Sequence, residues 1–253
     1  LQLENCVLAF KLHWKYFMSI DNVIEFRDKY AHNTKPIYPQ NLTSHQEVRR
    51  SNQIPFLPML PFADVDWDKM YHEAKSLSQH FVPHRSHESH KGWSSLCIHG
   101  LSSVHTEHHT YYGYEEREDA PYRWTDVSTW CPTITAFFQN DFDYTQYDRI
   151  RIMKLAPGGY IVPHRDAFDE QQNKIGPTNI ALNNPDGCDF IMNGAGVLPW
   201  QQGMTIKLNV FNEHCVYNDS DEDRYHIIAH GKAGDSWSNR IWHSYDYYKS
   251  KYS

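Results

Sequence analysis

Between Trp67 and Phe81 apolar residues recur every three or four positions (Trp67, Met70, Ala74, Leu77, Phe81), the stripe of an amphipathic helix, with Asp66 placed as its N-cap. A shorter version of the same pattern runs through SIDNVIEFRDKYA. The proline-spaced IPFLPMLPF that follows reads instead as an extended arm wrapping a body. GWSSLCIHGLSS predicts a strand, and CPTITAFFQN a helix with proline in its first turn. From Asp148 onward the texture changes to short strand-like runs separated by turn residues: DRIRIMKLAPGG, YIVPHRD, TNIALNNPDG, CDFIMNGAG, GMTIKLNVFNEH and DRYHIIAHG. Short strands at near-regular spacing predict a sandwich or barrel. The expectation is one mainly β domain over 1–253, with an arm and helices in 1–90 packed against a β core in 91–253.

A length of 253 residues suffices to bury a substantial core, and Trp 8, Tyr 17 and Phe 12 are the composition of a folded globule. The formal charge of −7, with no lysine or arginine run, argues against nucleic acid and anionic membranes and leaves a small molecule or peptide as partner. Cys6, Cys97, Cys131, Cys188 and Cys215 lack CxxC spacing, which speaks against a zinc knuckle or a disulfide framework and for a reduced, cytoplasmic setting. The stretch LENCVLAFKLHWKYF is interrupted by Glu4, Lys11, His13 and Lys15, so it is expected to be neither a membrane span nor a signal peptide. The sequons at Asn41 and Asn218 are accordingly read as chance matches.

The chemistry begins at GGYIVPHRDAF, where His164 and Asp166 stand two apart in a strand-like run. Positions two apart share a strand face, so both side chains can reach one metal ion in a barrel mouth. A third ligand must come from elsewhere, and NEHCVYNDSDEDRYHIIAHG offers His214, His226 and His230. His214 ends a strand-like run ten residues before Arg224. Two histidines and a carboxylate on one face of an octahedral iron leave three positions open, enough for a bidentate 2-oxo acid and dioxygen. An arginine supplies a fork for the acid's far carboxylate.

The ordered set RIMKLAPGGYIVPHRD, IALNNPDGCDF and PWQQGMTIKLNVFNEHCVYNDSDEDRYHIIAHG resembles the aspartyl/asparaginyl β-hydroxylase-like group of Fe(II)- and 2-oxoglutarate-dependent oxygenases, which includes proline hydroxylases. The resemblance covers about 149–231. It implies a double-stranded β-helix (a jelly roll, cupin-like), with Fe(II) held by His164, Asp166 and His214 and the 2-oxoglutarate side carboxylate paired with Arg224. It also implies hydroxylation of an amino acid, a peptide side chain or another small acid. Some relatives lack the carboxylate ligand, and related halogenating enzymes replace it with a small residue. Asp166 therefore favours hydroxylation over halogenation, while a non-catalytic metal-binding or sensing protein on the same scaffold is the alternative from another class. Where the group offers an arginine and a histidine near the cosubstrate, PTNIALNN offers only Thr178, Asn179 and Asn183; Thr178 and Asn179 are carried forward as cosubstrate contacts.

Arg149 and Arg151 alternate on the strand before the Pro-Gly-Gly turn, and one of them facing the pocket would hold a substrate carboxylate. The stretch from His84 to His109 is the most histidine-dense of the chain, but it has neither HExxH nor zinc-finger spacing and is read as a solvated loop, of which one or two members could line the substrate entrance.

Overall fold

The computed structural model describes residues 19–32, 38–44, 47–48, 53–85, 89–142, 144–166 and 177–251. The interrupted apolar stretch before Ser19, with Cys6, and His87 of the histidine-dense region lie outside the described residues. Helix α1 (Ile20–Tyr30) opens on a capping box, in which Ser19 accepts from the Asp21 amide and donates its own amide to Asn22 Oδ1 at 2.7 Å. The proline-spaced arm supplies β1 (Phe56–Pro58). The predicted stripe is α2 (Trp67–Ser76), capped by Asp66 on the Lys69 amide at 2.9 Å. Then come β2 (Val82–Pro83), β3 (Lys91–Gly100), β4 (Arg123–Trp124), a single turn α3 (Val127–Trp130) and α4 (Pro132–Asn140), with Pro132 in its first turn.

The C-terminal half carries β5 (Tyr144–His164), β6 (Thr178–Ala181), β7 (Cys188–Met192), β8 (Gly196–Val197), β9 (Thr205–Leu208), β10 (His214–Asn218), β11 (Arg224–Ala233) and helix α5 (Asp235–Lys251). The apolar runs on either side of Pro157-Gly158-Gly159, expected as two strands, are the single strand β5 of 21 residues. Its first half, through Leu155, pairs with β11 and β3; its second half, from Tyr160, pairs with β10. The strand order β1-β9-β6-β11-β5-β10-β7-β8 is therefore two antiparallel sheets sharing one strand. One holds β9, β6, β11 and the first half of β5, flanked by β1 and β3; the other holds the second half of β5, β10, β7 and β8. Two such four-stranded faces make a double-stranded β-helix.

Burial follows strand parity. Leu155, Ala181 and Ile206 of the first sheet meet Ile161, Phe190, Met192 and Val216 of the second in an inner core. The alternate residues Ile150, Ile152, Ile180, Tyr225 and Ile227 face outward onto α2, α4 and α5, with Ile134, Phe138, Trp237 and Tyr245. On the far side of the second sheet, Val162, Ile191 and Cys215 are covered by Val23 and Phe26 of α1.

The change of partner along β5 depends on its glycines. Gly158 has φ +63°, and a Cβ on Gly159 would lie 2.7 Å from the Ala156 carbonyl oxygen and 3.0 Å from that of Lys91. Because two of the clashing atoms are backbone, Gly159→Ala is expected to cost about 1–3 kcal/mol, measured as a lower urea midpoint. No described helix is long and apolar enough to cross a membrane. Cys97, Cys131, Cys188 and Cys215 are free and buried. Asn218 is fully buried, its amide bonded to Leu155 O and Glu222 O, as a chance sequon requires.

Candidate active site

Strict alternation along β5 would turn His164 outward with Val162. The pairing prevents this: Val216 faces Ile161 and His214 faces His164, so two steps on β10 match three on β5. The extra residue is a β-bulge, and it moves His164 to the inner face beside His214. Pro163, without an amide proton, sits inside it. The two rings lie 4.4 Å apart between centroids. Asp166 follows the strand and is held by its amide, which donates to Val210 O at 3.0 Å.

His164, Asp166 and His214 each bring one ligand atom within 4.8 Å of the others. Nδ1 of His164 lies 2.8 Å from Val162 O and Nδ1 of His214 lies 2.9 Å from Asn212 O. A carbonyl only accepts, so both Nδ1 atoms carry the proton and both Nε2 lone pairs are free for a metal. Phe190 stacks on the His214 ring at 5.4 Å and 9°. Burial, with His164 adding to it, pushes the His214 pKa down to about 4, so its imidazole is neutral near neutral pH. Two imidazoles with outer hydrogen bonds and one carboxylate are the donor set that suits a ferrous ion with open positions.

Arg224 lies on the inner face of β11, and it is buried with no carboxylate partner among the described residues. Burial lowers its pKa to about 10, which leaves it cationic at neutral pH. It does not pair with the nearby acidic residues Asp221 and Glu222. Instead its Nη2 donates to His226 Nδ1 at 2.8 Å, and its Nε lies 3.4 Å from Asn184 Oδ1. Accepting at Nδ1 fixes the proton of His226 on Nε2, an atom with no hydrogen-bond partner. Trp200, whose ring is 4.7 Å from His226, has a buried Nε1–H that is likewise unpartnered. One guanidinium and two idle donors thus gather in the inner core, an arrangement that asks for an acceptor-rich ligand.

Residues 64–232 match the sequence profile of the aspartyl/asparaginyl beta-hydroxylase family. The chain belongs to that family. Comparison with curated proteins finds no match. Among solved structures, this family member is similar to a Pseudomonas putida prolyl-4-hydroxylase at 13% identity and a TM-score of 0.41, covering 76% of this chain and 98% of that one. It is similar to a 2OG-Fe(II) oxygenase family oxidoreductase from Burkholderia pseudomallei at 14% identity and a TM-score of 0.41, covering 78% and 94%. A prolyl hydroxylase from Trichoplax adhaerens, in complex with a hypoxia inducible factor peptide fragment, aligns at 12% identity and a TM-score of 0.44, covering 78% and 90%.

The remaining expected site residues of this β-hydroxylase family chain divide by parity. Asn179 is buried on the inner face of β6, opposite Ile228 of β11, which also faces Arg151 of β5. Thr178 is a correction: it lies on the outer face and its hydroxyl is bonded to that of Tyr144 at 2.8 Å, inside the core under the helices. The solvated-loop reading of the histidine-dense stretch is a second correction, because His84, His90, His99 and His109 are all buried. His90 accepts from the Val162 amide at 3.2 Å and its ring lies 5.7 Å from that of His164. Sequence reasoning missed this contact because nothing in the spacing of those histidines marks them as inward-facing.

His226 is a rival third ligand by sequence, and its place two residues after Arg224 puts it on the same face of β11. If a 2-oxoglutarate carboxylate binds at Arg224, the idle Nε2–H would meet it, and His226→Phe is expected to raise the 2-oxoglutarate requirement about tenfold, the low end for a hydrogen bond to a charged group. Titration of cosubstrate binding to the metal-loaded protein would read it, and an unchanged affinity would place the cosubstrate elsewhere.

Proposed function

We propose that this chain is an Fe(II)- and 2-oxoglutarate-dependent dioxygenase that hydroxylates a C–H bond of an amino acid, a peptide side chain or another small acid. The observation that carries the reading is a cluster of two imidazoles and one carboxylate whose ligand atoms lie within 4.8 Å of one another, with a buried Arg224 that has no carboxylate partner among the described residues on the inner face of the same barrel. The metal would supply oxygen activation: 2-oxoglutarate, dioxygen and R–H become succinate, carbon dioxide and R–OH, one oxygen atom going to each organic product.

The chain's own work is placement. His164, Asp166 and His214 would hold the metal, each through one ligand atom. The backbone carbonyls of Val162 and Asn212 lock both imidazoles in the ligating tautomer. Arg224 takes the far carboxylate of the cosubstrate, assisted by the Nε2–H of His226, and the apolar walls Phe190, Leu155 and Trp200 exclude water. No side chain need move a proton in this scheme. Asp166 retains the third protein ligand, which favours hydroxylation over halogenation.

Succinate formation from 2-oxoglutarate in the presence of Fe(II) and a panel of free amino acids and peptides tests the proposal. Substrate-stimulated succinate release is the expected result. Tight metal binding with no succinate and no visible absorption band from the anaerobic Fe(II) and 2-oxoglutarate mixture would overturn it in favour of a binding or sensing protein.

A further inference from the structure

A second buried arginine lies on the inner face of β5, and the cosubstrate scheme does not use it. Arg151 alternates with Ile150 and Ile152 of the outer core, and it shares its face with Met153 and Leu155 of the interior. It is 5% exposed, no carboxylate among the described residues pairs with it, and its Nε–H has no hydrogen-bond partner. The rest of the guanidinium is held: Nη1 donates to Thr106 O at 3.2 Å and lies 3.4 Å from His84 Nε2. His84 is 2% exposed, and its Nδ1 faces Ser95 Oγ at 3.1 Å, Thr106 Oγ1 at 3.2 Å and Glu107 at 3.4 Å. Glu107, the one carboxylate of this cluster, is also engaged by Arg85 at 3.4 Å. Arg149 stands beside Arg151, likewise buried, and donates to the same Thr106 carbonyl at 3.2 Å.

Contacts between rings link this cluster to the metal ligands. His84 meets Trp93 at 4.4 Å, Trp93 meets His90 at 5.2 Å, and His90 meets His164 at 5.7 Å. Two buried cations share this cluster with a single carboxylate, Glu107, which Arg85 already engages; one of them presents an idle donor, and such a surplus of buried positive charge is costly unless a ligand supplies a further anion.

We propose that Arg151, positioned by His84 and backed by Arg149, is a second anion site inside the barrel that takes a carboxylate of the substrate. The enzyme then acts on a free acid or amino acid, and discriminates against its amide. This rests on the dioxygenase reading for turnover, but the anion site itself does not. Arg151 is the binding residue; His84 acts through it.

The test has two arms. In the first, succinate release is compared for free amino acids and for the same amino acids as C-terminal amides, with wild type, Arg151→Met and His84→Gln. At least about tenfold greater stimulation by the acid is expected, lost in Arg151→Met and weakened in His84→Gln as a rise in KM rather than a fall in kcat. Equal stimulation by acid and amide would overturn the proposal. So would an Arg151→Met loss of 2-oxoglutarate affinity equal to that of Arg224→Met.

In the second arm, line broadening of 13C-acetate is measured on metal-free protein carrying Arg224→Met. Broadening that disappears when Arg151→Met is added supports the site even if no succinate ever forms, which would sink only the dioxygenase reading. Broadening that persists places the anion elsewhere. Because the side chain is an unpaired buried charge, Arg151→Met is expected to hold or raise Tm; a lower Tm would mark Arg151 as a structural group and overturn the assignment.

Discussion

Asp166→Ala is expected to abolish substrate-stimulated succinate release, by more than about 100-fold, since loss of an outer partner of a metal ligand already costs 10–100-fold. The carboxylate is the anionic member of the candidate metal site, and its removal leaves two imidazoles 4.4 Å apart between ring centroids to hold a dication. Metal affinity should fall in parallel, read by titration of Fe(II) or Mn(II) under anaerobic conditions. Asp166 is partly exposed; its backbone amide donates to Val210 O and its carboxylate makes one long contact, 3.8 Å to His164 Nε2, so the thermal stability of metal-free protein should change little. Metal affinity at the wild-type level in the variant would remove Asp166 from the ligand set.

Arg224→Met is expected to separate binding from folding just as cleanly. Truncating one partner of a buried, hydrogen-bonded charge pair costs about 2–5 kcal/mol, or roughly 30-fold to several thousand-fold in affinity for the cosubstrate. The same change removes a buried cation that has no carboxylate partner among the described residues, so the ligand-free protein should melt no lower than wild type. Saturating 2-oxoglutarate should recover much of kcat. A variant that binds 2-oxoglutarate normally would move the cosubstrate away from β11.

That His164, Asp166 and His214 could come together was legible because the first two stand two apart in one strand-like run and His214 ends another, ten residues before Arg224. Helix α2 was legible for a similar reason: a clean stripe and an Asp66 cap leave little for tertiary context to decide. Four features were hidden. The bulge at Pro163 cannot be read from alternation, which would have turned His164 outward. Thr178 and Asn179 are adjacent, and a one-residue uncertainty in register exchanges their faces; only the pairing with β9 and β11 settles it. The histidines of 84–109 are embedded among polar residues with no period. Their burial comes from partners distant in sequence, as when His99 Nδ1 reaches Asp148 O at 3.1 Å. Helix α5 escaped for a different reason, since its buried face of Trp237, Ile241 and Tyr245 is interleaved with tyrosines that carry no clear stripe.

One consequence belongs to β5. Arg151 and His164 are thirteen residues apart on one uninterrupted strand, with the left-handed Gly158 between them. On the proposed anchoring, the substrate is gripped at one end by the same ribbon that presents the reaction centre at the other, so the strand works as a caliper. Regiochemistry then becomes a matter of reach: in a homologous series of acids the oxidised carbon should keep a constant count from the anchored carboxylate, and an altered jaw angle at Gly158 should shift that count for every member together.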